Sequence, residues 1–400
     1  EKKMRIEKLD IEGFRSLRKV SWQPGVLNIL IGPNGSGKSN LLHMLELISA
    51  SAQGKLGDLV QKWGGMDPLV WDGQAKSIKY SIDMVTLTDD DGKTISDNVY
   101  SVEMERLGHT SAYNIGAENM CMNIHTKDGK IETKELIERK KKFGRYSFTD
   151  NVRGEVYGEE KLPEEETLLS QLKLDRLVSM NTFFQDEISS WKIYHDVRVD
   201  KEATIRRAAV TRASKVVDND GQNLIHILHT LCSSDRKFEE DINSAMRAAF
   251  GDDFDKLVFP PDADQRIQMR LRWKSLKREI STLAISDGTL RFLFLLAVLA
   301  NPNPPSLIAI DEPENGLHPS MLLMIAEFAA EAATRTQVII STHSAQLLDA
   351  FTSFRPTTTV VKCEEGETTL KQLDGEALEY WLKEYSLGTL YASGQLEGME

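Results

Sequence analysis

Cysteine is scarce in this 400-residue chain. Cys121, Cys232 and Cys363 are odd in number, far apart and in no metal-ligand spacing, so neither a disulfide framework nor a thiolate metal site is expected. They read as reduced thiols of a cytoplasmic protein. Long apolar runs are also missing. The longest, residues 292–300, is too short to span a bilayer and reads as a buried helix. The N-terminus is charged and leads straight into an alternating segment, so no secretory leader and no membrane partner are expected. Excess positive charge is absent too. A net charge of −12 gives the whole protein no attraction for nucleic acid, and DNA contact would need a local basic patch. There is no tandem repeat and no sustained heptad, which argues against solenoids and long coiled-coil arms. What remains is ordinary globular composition, 40% apolar and 28% charged, with length enough for two or three domains.

The most informative stretch is 32–39, GPNGSGKS, directly after the apolar run 26–31. It fits the spacing Gly-x-x-x-x-Gly-Lys-Ser, a P-loop. Its glycines let successive backbone N–H groups turn inward and form a concave anion site. The amphipathic segment that follows points a helix N-terminus at the same place. Lys38 is placed to reach the β- and γ-phosphates, and the Ser39 hydroxyl to ligate Mg²⁺. Asn34, Gly35, Ser36, Gly37 and Asn40 complete the expected cradle, so a nucleoside triphosphate is the expected ligand.

Residues 4–11 alternate as a half-buried strand does, with a slip near Lys8, and a short strand over 20–22 precedes the P-loop strand. From 77 to about 148 the period is two, reading as an antiparallel β subdomain with a hairpin turn at Asp89, Asp90 and Asp91. Those three acids read better as a solvated turn than as a nuclease metal site. Residues 134–145, KELIERKKKFGR, read as a basic helix, and 149–163 as a boundary. Residues 167–250 read as mostly helical, with a cap at 220–223. The alternating stretch 266–278 reads as a solvated basic strand face or, less simply, as a patch facing DNA or a partner.

The second half of the chain carries matching signals. The continuous apolar run 306–310 ends in Asp311 and Glu312, as a buried parallel strand would beside a phosphate site. Asp311 is placed to hold Mg²⁺ and Glu312 to polarise the attacking water. The run 337–342 ends at His343, a candidate γ-phosphate sensor. Ser286, Asp287, Gly288 and Thr289 open the 292–300 helix, where a hydroxyl and small-residue backbone form either a second phosphate device or simply a cap.

Together, GPNGSGKSN, DEPENGLHP after the acidic strand and STHS at 341–344 resemble the ABC-class ATPases of the SMC/RecF/OLD type, over nearly the whole chain. ISDGTLR at 285–291 and the tail at 379–388 are similar to the stand-alone bacterial "AAA family" ATPases, relatives of which occur in anti-phage defence operons. The resemblance implies an α/β fold, an ABC-type P-loop ATPase head with an antiparallel β subdomain and a compact helical insertion. The expected domains are 1–160, with the P-loop; 161–260, the insertion; and 261–400, with signature, Walker B strand, D-loop and switch histidine. It also implies that Ser286 and Gly288 contact the γ-phosphate held by a second copy, that 315–319 is the D-loop, and that Arg15 lies near the phosphates. Asp287 and Thr289 depart from the transporter signature, and a Q-loop is not assigned, Gln61 and Gln74 both being candidates. No C-terminal Toprim nuclease domain is expected after His343.

The function expected from this resemblance is an ATP-hydrolysing switch. Two copies sandwich two ATP molecules as a homodimer and control a separate effector such as a nuclease, in anti-phage defence. A RecF-like DNA-maintenance ATPase using the 134–145 and 266–278 patches, and an ATP-bound scaffold with negligible turnover, are the alternatives.

Overall fold

The structure, a computed structural model, describes residues 4–88, 94–126, 128–150, 154–172, 180–210, 212, 214–351 and 354–373. The described residues divide into two units, one made of those within 4–191 together with Thr357–Leu373 and the other of those within Lys192–Pro356. The acidic turn at 89–91 and the tail at 379–388 lie outside the described residues.

The first unit is built on an eight-stranded antiparallel sheet, β2-β1-β4-β5-β6-β7-β8-β9. Its strands are β1 (Arg5–Phe14), β2 (Leu17–Trp22), β4 (Ser77–Thr88), β5 (Thr94–Arg106), β6 (Tyr113–His125), β7 (Ile131–Lys140), β8 (Phe143–Asp150) and β9 (Gly154–Lys161). The slip expected near Lys8 is a register shift between Ile6 and Lys8 where β1 pairs with β4. Alternation decides the faces. Tyr100, Val102 and Met104 of β5 are buried on one side, while Ser101 and Glu103 between them are partly exposed. The buried face is covered by α1 (Lys38–Gln53), whose Ser51 hydroxyl meets the Tyr80 hydroxyl at 2.8 Å. Helices α2 (Leu56–Lys62), α3 (Leu168–Gln171) and α4 (Met180–Ser189) complete this unit's helical layer. A second strand set pairs β3 (Leu27–Ile31) in parallel with β16 (Thr357–Glu364), which pairs antiparallel with β17 (Glu367–Leu373).

The helix expected over 134–145 is not formed. Those residues make β7, a turn at Lys141 and Lys142, and the start of β8. A bulge against β6, between Met120 and Cys121, leaves Leu136 as an extra residue beside Ile137, so the strand's period of two is broken. Helix-forming Glu, Leu, Lys and Arg then mimic a helical sequence, and pairing on both edges overrides that local preference. Arg139 is buried, donating to the carbonyls of Lys141 at 2.7 Å and Pro163 at 2.6 Å.

The second unit contains a parallel set β10 (Lys192–Tyr194), β14 (Leu307–Asp311) and β15 (Gln337–Thr342), in that order. Every residue of β15, and all of β14 except its final Asp311, is buried, which explains their near-continuous apolar sequences. Helices α5 (Leu224–Ser234), α6 (Arg236–Phe250), α7 (Asp287–Leu299), α8 (Pro319–Ala332) and α9 (Ala345–Asp349) surround them in sequence. A three-stranded antiparallel sheet joins β11 (Phe254–Val258), β12 (Arg270–Trp273) and β13 (Ile280–Ser281). The stretch 167–250 is therefore less helical than its composition suggests, since β10 and irregular backbone separate α4 from α5. Three of the cations in 266–278 are turned onto local acceptors. Arg272 pairs with Glu279 at 2.6 Å, Arg270 donates to Gln268 at 2.9 Å, and Lys274 donates to the Asp252 carbonyl at 2.6 Å. All three cysteines are free, and burial pushes the Cys232 thiol up to about 12, keeping it protonated and unreactive. Among the described residues no helix is long and apolar enough to cross a membrane.

Candidate functional site

Buried β3 delivers the chain into the loop at 32–37, and α1 begins at Lys38. Gly37 has φ 104°, and a Cβ there would lie 2.0 Å from the Thr368 hydroxyl oxygen. Only glycine fits that position. The loop is braced from outside its own sequence. Thr368 Oγ1 donates to the Ser36 carbonyl at 3.0 Å and contacts Ser16 Oγ at 2.7 Å, and Asn40 Nδ2 donates to Ser16 Oγ at 2.7 Å. Arg15 donates to Asn40 Oδ1 at 3.3 Å, with its guanidinium 5.0 Å from the Trp63 ring centre. Burial draws the Arg15 pKa below its ordinary value, with Glu46 opposing that shift.

Arg15, Ser36, Gly37 and Asn40 are thus gathered in one network, while Pro33, Asn34 and Gly35 form the exposed tip. Two features fit an anionic ligand. The Lys38 ammonium is buried and donates to the carbonyls of Gly32 at 2.7 Å and Pro33 at 3.0 Å, a cation held inside its own loop. Ser36 Oγ is buried with no hydrogen-bond partner among the described residues, a donor left for a ligand to satisfy. Ser39 is half-buried at the first turn of α1. Gln61, in α2, and Gln74 are both exposed.

In the second unit, Asp311 ends β14 and Glu312 follows with φ 46°, a left-handed backbone rarely adopted outside glycine. The Glu312 N–H holds this turn by donating to the Ser341 carbonyl at 3.0 Å and to Ser341 Oγ at 3.1 Å. Ser341 Oγ in turn donates to Asp311 Oδ1. The Glu312 carboxylate accepts from Asn315 Nδ2 at 3.0 Å and lies 3.1 Å from His343 Nδ1. His343 is fixed from behind, its N–H donating to Glu314 Oε1 at 3.2 Å. Glu312 and His343, separate signals in the sequence, therefore touch. A carboxylate held at two points and open on its remaining side can take a proton from water.

A cavity of about 130 Å³ borders Asp311, Glu312 and Asn315, with His195, Asp196 and Arg291 on its other walls. His195 Nδ1 lies 3.5 Å from Asp311 Oδ2, and Arg291 pairs with Asp196 at 2.8 Å. Ser286 caps α7, its Oγ accepting from the Thr289 N–H at 3.1 Å. Gly288 packs so closely on the turn after β14 that a Cβ would lie 2.6 Å from the Gly316 carbonyl oxygen. Ser286, Asp287, Asn315 and Gly316 are exposed beside one another in sequence pairs, leaving this face free.

Sequence reasoning missed Thr368, Ser341 and His195. Thr368 lies in a strand with no motif, and Ser341 passed only as part of STHS. His195 directly follows β10, outside any motif.

Comparison with known proteins bears on the fold and the family. A family model described as "AAA domain, putative AbiEii toxin, Type IV TA system" matches residues 27–100 and 132–349. No curated protein matches the sequence. Among solved structures, an Smc head bound to the C-winged helix domain of ScpA is similar at 15% identity and TM-score 0.55, over 93% of this chain and 99% of that one. An Smc head with an extended coiled coil from Pyrococcus furiosus, bound to the C-terminal domain of ScpA, is similar at 13% identity and TM-score 0.54, over 95% of this chain and 99% of that one. The fold is therefore that of an SMC-type, ABC-class P-loop ATPase head with an antiparallel β sheet, and the chain belongs to the AAA-domain family whose description names the putative AbiEii toxin of a Type IV TA system.

Proposed function

We propose that this ATPase head binds ATP with Mg²⁺, closes a head-to-head homodimer on two nucleotides, and reopens when ATP is hydrolysed to ADP and phosphate. Lys38 and the loop N–H groups bind the triphosphate, with Ser36 Oγ supplying a donor that has no partner among the described residues. Ser39 and Asp311 would hold Mg²⁺, which offsets the phosphate charge when bound. Glu312 takes a proton from the attacking water, and His343 orients Glu312 and senses the γ-phosphate. Arg15 and Asn40 keep the loop in shape. Ser286 and Gly288 meet the γ-phosphate held by the second copy.

The observation that carries this reading is the packing of Gly288 on Gly316. It joins the signature and the D-loop into one exposed surface, as an isologous nucleotide sandwich requires. ATP bridging two copies has different affinity for the closed and open states, which is what a switch needs. The output is control of a separate protein effector, in a toxin–antitoxin or anti-phage setting in the cytoplasm. The family's description and the ScpA-bound Smc heads are in keeping with a protein partner. Arg270, Arg272 and Lys274, on and beside β12, are engaged by local acceptors, which draws those three cations away from a DNA track.

The test is the solution mass of Glu312→Gln with and without ATP-Mg²⁺, alongside wild-type turnover. A mass that doubles only with ATP supports the switch. A constant mass removes it and leaves a scaffold or a lone nucleotide binder.

A further inference from the structure

Arg206 is 3% exposed, and its guanidinium meets five acceptors within the second unit. Nε donates to the carbonyls of Val199 at 2.8 Å and Asp200 at 3.2 Å. One terminal nitrogen donates to the carbonyls of Thr282 at 2.8 Å and Ile285 at 2.7 Å. The other pairs with the Asp287 carboxylate. Thr282 Oγ1 returns a bond to the Arg206 carbonyl at 2.8 Å. Residues 282–285 are the turn that delivers Ser286, and Asp287 is the first residue of α7.

This arrangement resolves an electrostatic conflict. A helix N-terminus favours an anion, and Asp287 places one there from within the chain. Left uncancelled, that carboxylate repels any phosphate brought to the same helix end by another molecule. The buried fork of Arg206 pairs with this carboxylate and holds it to one side. The four carbonyl bonds keep the fork from following Asp287 outward.

We propose that Arg206 is a positioning residue for the signature, cancelling Asp287 so that the N-terminus of α7 accepts a phosphate held by a second copy of this chain. This rests on the sandwich-dimer reading above. It assigns a role to the acid at the position where transporter-type signatures carry glycine: Asp287 is tolerated because Arg206 is beneath it.

The test uses the full chain carrying Glu312→Gln as parent, with Arg206→Gln and Asp287→Asn added singly and together. ATP-driven association is measured by sedimentation, nucleotide affinity by titration at concentrations where the chain is monomeric, and folding by thermal melting. Arg206→Gln should weaken association by about tenfold or more while the monomer's nucleotide affinity holds. Asp287→Asn should associate at least as tightly as the parent, and the double variant should recover most of the loss. If Arg206 only braces backbone, the double variant stays as weak as Arg206→Gln, which overturns the proposal. Should Arg206→Gln not fold, Asp287→Asn decides alone, and association about tenfold weaker than the parent overturns it. A parent that stays monomeric with ATP overturns the dimer reading itself; a parent that dimerises confines any failure to Arg206.

Discussion

Replacing Gly37 by alanine should cost stability through two separable effects. The first is backbone. Gly37 has φ 104°, where a Cβ costs about 1–3 kcal/mol. The second is collision, since the new Cβ would lie 2.0 Å from Thr368 Oγ1 and 3.0 Å from both Thr368 Cβ and Ser16 Oγ. Thr368 is 3% exposed, and its hydroxyl is tied to Ser36 and Ser16, so it has little room to retreat. Overpacking of this kind costs about 1–3 kcal/mol. The sum, about 2–6 kcal/mol, is a large part of the total stability of an ordinary domain, about 5–15 kcal/mol. Thr368→Ala removes the offending oxygen but not the backbone strain. In the double variant the collision energy should therefore return as a coupling of about 1–3 kcal/mol, with the φ cost remaining. Urea midpoints for the four proteins, at unchanged m, measure this cycle, and ATP titration follows the loop in parallel. Costs that add to within about 0.5 kcal/mol would refute the placement of Thr368 on the P-loop.

Three further perturbations address other parts of the molecule. Lys38→Ala should weaken ATP binding by about 2–5 kcal/mol, the scale for losing a buried charged contact, and near-normal affinity in calorimetry would remove the phosphate role of this lysine. Ser286→Arg places a long cation at the exposed cap of α7, so it should block ATP-driven association and leave nucleotide binding by the lone chain intact; normal dimerisation would place the interface elsewhere. Glu118 is fully buried, and that burial raises its carboxyl pKa despite the Leu168 and Leu169 N–H groups and Arg139. The folded state then holds a proton that the unfolded state has released, so the contribution is present below the usual carboxylate range and is lost as pH rises through the folded value. Glu118→Gln should flatten that decline in urea midpoints as pH rises above the usual carboxylate range, and an unchanged slope would contradict the raised pKa.

Much of this was legible because the relevant signals are local. The P-loop needs glycine at Gly37 and a cation at Lys38, and both requirements appear in eight consecutive residues. The apolar runs that end at Asp311 and His343 are buried strands β14 and β15, and burial on both faces writes itself as an unbroken apolar run. The alternation of β5 and its neighbours is equally direct. The strand β7 was hidden because its bulge places Leu136 beside Ile137, and because Arg139 is buried among carbonyls, where composition predicts solvent. Nothing in a window of ten residues distinguishes such an arginine from one on a helix surface.

The supporting residues raise a different problem, which follows from what a phosphate site needs. Arg15 and Glu312 both hold left-handed backbone without being glycine, at φ 46° each. Such positions cost about 1–3 kcal/mol and persist only where surroundings over-determine them. For Glu312 that support comes from Ser341, 29 residues later, which receives its N–H and binds Asp311. For Arg15 the N–H is held by the Leu69 carbonyl at 2.7 Å, and the neighbouring Ser16 is tied to Thr368. The strain is local, whereas the compensation is distant and carried by common residues such as serine and threonine. A motif therefore marks where strain is placed and does not name the residues that hold it. Variants of Ser341 and Thr368 should damage function without belonging to any recognisable motif, because they set the backbone from which the motif residues act.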